Sequence, residues 1–210
     1  MNLKHIYISI VLLLVGGAAM ATEEPRYEVV QKFEAFELRR YAPQLLAETE
    51  VAGDFDAVGN QAFRILADFI FGNNRQQEKI SMTAPVNQRP TAGEKIAMIA
   101  PVTQTPKAGG HGTYVFSFVM PARYTRETLP QPVDPRVRIR EAPAKLVAAR
   151  RYSGVWSESR YREQESMLLQ AVARARLETV GAPVYARYNS PFSLWFLRRN
   201  EVLVEVARQP

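Results

Sequence analysis

The residue types that usually carry enzyme chemistry are scarce in this chain. It contains no cysteine and two histidines, His5 and His111, so thiolate nucleophiles, disulfides and Cys-ligated metals or cofactors are excluded together. No HExxH, GxSxG or Walker loop occurs. Glycines 109, 110 and 112 surround His111, but they follow no strand and open no helix, which argues against a phosphate cradle. An ordinary active site needs a nucleophile with its base, a metal triad or two carboxylates in distinct environments. The acid that stands out is Glu201 beside Asn200, and a salt-bridge role on an edge strand accounts for it without catalysis. The residues therefore favour a binding protein over an enzyme.

The segment YNSPFSLWFLRRNEVLVEV, residues 188–206, has a pattern suited to binding. A turn at Ser190 and Pro191 leads to Phe192, Trp195 and Phe196, then Arg198, Arg199, Asn200 and Glu201, then a strand. Aromatic faces beside guanidinium groups suit a flat apolar ligand that carries carboxylates: the rings stack and the arginines hydrogen-bond the acids. An aromatic cluster covering the core, with Arg198 or Arg199 paired to Glu201, accounts for the same residues. A metal ligand could come from His111 as a neutral imidazole, although a lone histidine in a glycine-rich loop has no partner ligand in view. Met82 and Met98 occupy matching positions of a short repeat, where methionine serves as an axial donor or as core filling.

The formal charge is +6 and the basic residues are mostly arginine, scattered as RR and RxR pairs. Nucleic-acid binding would call for a basic stripe with interleaved aromatics, so the expected partners are anionic carboxylates or lipid headgroups. Lys4 and His5 precede an apolar run over 6–15, and Ala19, Met20 and Ala21 form a small-x-small cleavage site. This is the layout of a signal peptide over 1–21. Its apolar stretch of about ten residues falls short of the roughly twenty that span a bilayer. The expectation is an exported, periplasmic protein without a membrane span after cleavage, with residues 22–210 forming one domain.

Periodicity then places the elements. Residues 27–41 alternate in part and read as one bent strand or two short ones, and 45–51 form the next strand. Phe55, Val58, Ala62, Ile65, Leu66 and Phe69 make a helical stripe, capped by Asp54 or Asp56 and stopped at Gly72 and Asn73. The same order recurs: alternation at 137–140, a strand at 146–152, a helix over 157–180, and returning strands at 184–188 and 201–206, as the first half returns through 114–120. Arg40, Ala42, Pro43 and Leu46 recur as Arg140, Ala142, Pro143 and Leu146, and after a one-residue slip Gly53 and Phe55 recur as Gly154 and Trp156. An internal duplication follows, with pseudo-repeats at about 26–120 and 121–210. EKISMTAPV at 78–86 echoes as EKIAMIAPV at 94–102, with loop material between them at 87–93 and after them at 105–112, and suggests a hairpin. The fold class is α+β: duplicated β-α-β-β units forming an antiparallel sheet or distorted barrel flanked by two helices.

YEVVQKFEAFELRRY, the helix with its FGNN end, KISMTAPV with its echo, FVMP at 118–121 and RRNEV at 198–202 together resemble the SOUL haem-binding family over nearly all of residues 22–210. The resemblance implies a distorted barrel related to bacterial effector-binding domains of the gyrase-inhibitor type. It also implies noncovalent binding of haem or another tetrapyrrole in a shallow apolar groove by the first helix, with basic groups near the propionates. Carried over by position, the site comprises Asn60, Phe63, Arg64 and Ala67, facing Phe192, Trp195, Arg198 and Arg199. The histidine ligand of some members has no counterpart, since Arg40 and Tyr41 stand there. Two other readings are a hydrolase or isomerase of a small hydrophobic compound relying on Glu201, and an interaction module of the cell envelope.

Overall fold

The structure is a computed structural model and describes residues 23–55, 57–76, 94–107, 112–189 and 193–207. The first half comprises β1 (Tyr27–Lys32), β2 (Glu37–Tyr41), β3 (Gln44–Ala52), α1 (Val58–Ile70), β4 (Asn74–Arg75), β5 (Val102–Pro106) and β6 (Thr113–Val119). The second comprises β7 (Gln131–Pro132), β8 (Arg138–Ala142), β9 (Lys145–Tyr152), α2 (Glu158–Arg174), β10 (Thr179–Arg187), the 3-10 turn η1 (Trp195–Leu197) and β11 (Asn200–Val206). The main sheet is antiparallel, runs β1-β2-β9-β11-β10-β5-β6-β3-β8 and curls into a half-barrel, while β4 and β7 form a separate ribbon. Exchanging β2 with β8, β3 with β9, β5 with β10 and β6 with β11 reverses this order without otherwise changing it. The duplication is therefore built into the topology, with its pseudo-twofold between β5 and β10 and with β1 as an addition.

Strand faces place the repeat one residue away from the expected offset. Cross-strand partners share a face. Ala47 lies opposite Phe118, and Ala148 lies opposite Leu38 and Val204; all are buried toward the helices. Ala47 thus corresponds to Ala148, and Arg39, not Arg40, corresponds to Arg140. The apparent match of Leu46 with Leu146 is coincidental. Leu46 packs with Ile99, Val119 and Ala142 on the sheet's other side, whereas Leu146 packs on the main core. A slip of one residue moves a side chain through the sheet.

The helices lie on one face of the sheet, α1 against β3 and β6, α2 against β9, β10 and β11. Between them and the strands lie Phe55, Leu66, Phe69, Phe116, Phe118, Tyr161, Leu168 and Val202, all nearly inaccessible. Each such side chain stabilises the fold by roughly 1.5–3 kcal/mol, which explains why both helices carry an apolar stripe. At the end of α1, Gly72 (φ 122°) lets Gly72 N–H and Asn73 N–H turn back to the carbonyls of Phe69 and Asp68, the C-terminal motif the glycine foretold. Asn74 then ties the helix end to the returning chain, its amide donating to the carbonyls of Phe69 and Glu94 and accepting from Glu94 N–H.

Three boundaries differ from expectation. The N-cap of α1 is Ala57, with no side-chain cap; the carbonyl of Asp54 accepts from Ala57 and Val58 N–H. Asp56 lies outside the described residues. Helix α2 stops at Arg174, not near 180, because Arg176 adopts φ 57° and Leu177 N–H returns to the Val172 carbonyl. Thr105 and Pro106, expected as the start of a loop over 105–112, instead end β5, an interior strand paired with both β6 and β10. The first arm of the expected 78–86 and 94–102 hairpin lies outside the described residues.

Candidate ligand-binding site

The motif RRNE separates by strand alternation. Asn200 faces the helix side, where it is fully buried, accepts from Trp156 Nε1 (2.7 Å) and donates to the Gly154 carbonyl (3.2 Å). Arg198 shares that side: its guanidinium lies 4.4 Å from the Trp156 ring centroid and its Nε donates to the Ser193 carbonyl (2.9 Å). Arg199 and Glu201 face the inner side of the half-barrel. The expected site residues Arg198 and Arg199 are thus parted by the sheet.

On the helix side the register aligns a row of side chains across the strands: Phe118 opposite Val102, Val102 opposite Arg187, Arg187 opposite Asn200. Phe63 of α1 stands over Phe118, ring centroids 5.7 Å apart. The N-terminal turn of α1 passes directly above Arg187, since a β-carbon on Gly59 would sit 3.0 Å from Arg187 Nη1. Arg187 is fixed there by donating to Tyr161 Oη (2.8 Å) and Gln104 Oε1 (3.0 Å). Its guanidinium lies 5.1 Å from the Trp156 centroid. One indole therefore carries two arginines, Arg187 and Arg198, an arrangement each cation–π contact stabilises by about 0.5–2 kcal/mol. Phe63, Val102, Arg187, Trp156 and Arg198 are all half-buried, so this strip meets solvent.

Beside it, η1 raises Leu194, Trp195, Phe196 and Leu197, each more than half exposed, with Trp195 and Phe196 edge to face at 5.5 Å. Four consecutive exposed apolar residues are more than a soluble surface ordinarily shows. Of the residues expected on α1, Asn60 and Arg64 point to solvent, Arg64 Nε donating to the Asn60 carbonyl. Phe63 is half-buried and Ala67 is buried. Phe192 and His111 lie outside the described residues. Arg187 and Trp156 were not singled out from sequence. The available signal was the replacement of buried Phe55 by Trp156 at the equivalent repeat position, a ring with a hydrogen-bonding edge in place of one without.

Arg199 and Glu201 belong to a buried charge network. Glu201, fully buried and on an interior strand, not an edge, accepts from Arg39 Nη1 (2.7 Å) and Nη2 (3.2 Å), from Arg199 (3.0 and 3.1 Å) and from Tyr188 Oη (2.8 Å). Arg199 also pairs with Glu24 and stacks on Tyr188. Burial pushes the Glu201 pKa up, but hydrogen bonding and charge from Arg39, with Arg199 and Tyr188, outweigh it and hold the carboxyl below its ordinary value. A carboxylate held in its ionised form accepts rather than donates a proton near neutrality. No cluster of three His, Cys, Asp or Glu suited to a metal exists among the described residues, and no helix there is long and apolar enough to cross a membrane.

A curled antiparallel sheet with two helices on one face, doubled about a pseudo-twofold and bearing an arginine-bracketed indole beside exposed aromatics, defines an α+β fold of two diverged halves. The chain belongs to the SOUL heme-binding protein family, whose profile matches residues 22–205. It is 26% identical to Heme-binding protein 2 of Homo sapiens, over 88% of this chain and 90% of that protein. The Mus musculus protein of the same name is 24% identical, over 90% and 93%. Among solved structures the EcmrR C-terminal domain aligns with TM-score 0.58 at 10% identity, covering 87% of this chain and 99% of that one. A hydrolase from Listeria innocua aligns with TM-score 0.53 at 13% identity, covering 90% and 94%. At these identities the structural likeness concerns the fold alone.

Proposed function

We propose that this chain binds haem or another tetrapyrrole noncovalently on the strip between α1 and η1. The observation that carries the reading is Trp156 bracketed by Arg187 and Arg198, next to the exposed apolar residues of η1 and to Phe63. Membership of a heme-binding family supports it. The macrocycle would lie against Trp195, Phe196 and Phe63, and its propionates would meet Arg198, Arg187 and Arg64, since charge-assisted hydrogen bonds to arginine suit carboxylates. The described residues fit the ring and its acid groups better than the iron, because neither histidine nor cysteine occurs among them and the residues placed on the strip include no methionine. When bound, haem would supply its own iron chemistry; the residues here bind and orient it and shield one face from water. Signal-peptide features over 1–21 support export to the periplasm as the setting.

Titration with haemin and with iron-free protoporphyrin IX tests the reading. Both should bind with affinities within severalfold of each other, haemin giving a broad, weakly shifted Soret band that His111→Ala leaves in place. Failure of the parent to bind either porphyrin, or unchanged binding in Trp156→Ala and Arg198→Glu, would end it.

A further inference from the structure

The inner face of the half-barrel holds a cavity of about 390 Å³ on the side of the sheet away from both helices, and none of the residues assigned above to the tetrapyrrole line it. It straddles the pseudo-twofold. Its walls are mainly aliphatic, from Leu46, Val119, Val147, Val184 and Leu203, a size and character typical of small-molecule sites, which run from roughly 300 to 1,000 Å³. At the corner where β8 turns into β9 stands Lys145, lining the cavity at the position equivalent to Gln44 of the first half, which lines it too.

The charges on the lining are unequal in their partners. Arg140 and Glu48 hold each other through two hydrogen bonds of 2.8 and 2.7 Å, and Glu48 also accepts from Ser117. Tyr188 donates to Glu201, and Tyr41 is buried against Arg39. Glu205 is exposed at the rim. Lys145 is half-buried and makes no hydrogen bond or ion pair among the described residues. Withdrawing an ammonium from water without a partner is costly, and an anion entering the cavity would relieve that cost.

We propose that this inner cavity is a second ligand site, separate from the tetrapyrrole strip, which takes a small amphiphilic carboxylate: its chain or ring packs on the aliphatic walls and its carboxylate pairs with Lys145. The protonation of Lys145 agrees with this. Burial lowers its pKa from the ordinary lysine value and Arg140 adds to the shift, while Glu205 and Glu48 oppose it. An incoming carboxylate would reverse the shift, so binding should weaken as pH rises toward the lysine range.

Isothermal titration of the full chain with dodecanoate below its critical micelle concentration tests the site, with dodecanol and dodecyltrimethylammonium as neutral and cationic probes. Dodecanoate should bind one to one and at least about tenfold tighter than either control, about 1.4 kcal/mol. Lys145→Met should cost about tenfold and Leu203→Trp, which fills the cavity, should abolish binding, while both still take up protoporphyrin as the parent does. If Leu203→Trp fails to fold, Lys145→Met alone decides. No dodecanoate binding, equal binding of the cationic probe, or full affinity in Lys145→Met overturns the proposal. Displacement of protoporphyrin by dodecanoate would show one shared site and overturn it equally.

Discussion

Replacing Glu201 by glutamine should destabilise the protein while leaving tetrapyrrole uptake intact. Glu201 is fully buried and Arg39 is 3% exposed, so the substitution leaves one guanidinium without its main counter-charge in a place water does not reach. Breaking a buried pair from one side costs roughly 3–5 kcal/mol. The lower figure applies because Arg39 keeps Glu37 at 2.9 Å and Arg199 keeps Glu24, though the new amide also sets donors against donors. For a domain of this size roughly 3 kcal/mol lowers Tm by about 10 °C, which differential scanning calorimetry at pH 7 would resolve. The pH dependence has a definite sign. The folded-state pKa lies below the reference value of 4.5, so the carboxylate's contribution is complete above that value and is lost as pH falls through the depressed one. The gap between parent and Glu201→Gln should therefore narrow on acidification below about 4.5, a value close to that of an unperturbed glutamate. A variant melting within about 2 °C of the parent at pH 7, well inside the shift expected from the burial argument, would refute it.

Trp156→Ala removes the ring shared by Arg187 and Arg198 and leaves buried Asn200 Oδ1 without its donor; protoporphyrin affinity should fall about tenfold and stability by roughly 1–3 kcal/mol, by titration and urea unfolding. Arg64→Glu, on an exposed helix face, should weaken haemin binding by about threefold to tenfold with stability within roughly 0.5 kcal/mol of the parent, and raising salt should shrink the difference. Arg199→Glu should behave in the opposite way, with a large loss of stability and no specific loss of porphyrin affinity once folded, because it brings a second carboxylate beside Glu201. Phe69→Ala, deep under α1 at 1% exposure, should cost roughly 3–5 kcal/mol.

Much of the architecture was legible because periodicity and punctuation agree. The α1 stripe, its Gly72 stop and the paired halves all rest on apolar spacing and on a residue that tolerates positive φ. The end of α2 was not legible, because an arginine, Arg176, occupies the left-handed position usually marked by glycine. Strand β5 was missed because VTQTP has little apolar signal; its place is set by neighbours on both sides, information that lies elsewhere in the chain. The site was legible in composition but not in sidedness. RRNE reads as one basic cluster until strand alternation sends Arg198 to one face and Arg199 to the other. Arg187, remote in sequence, is brought beside Trp156 by the pairing of β10 with β5 and β11 and by the absence of a side chain at Gly59.

The palindromic strand order also governs how the molecule comes apart. Strand β2 is hydrogen-bonded to β9, and β3 to β8, so each duplicate lends its leading strands to the other and neither owns a finished sheet. Released alone, either duplicate would bare several strand edges at once and invite pairing with whatever strand came near. Loss of structure should therefore be all-or-none across both duplicates, and two fragments cut between β6 and β8 should recover the fold only when mixed.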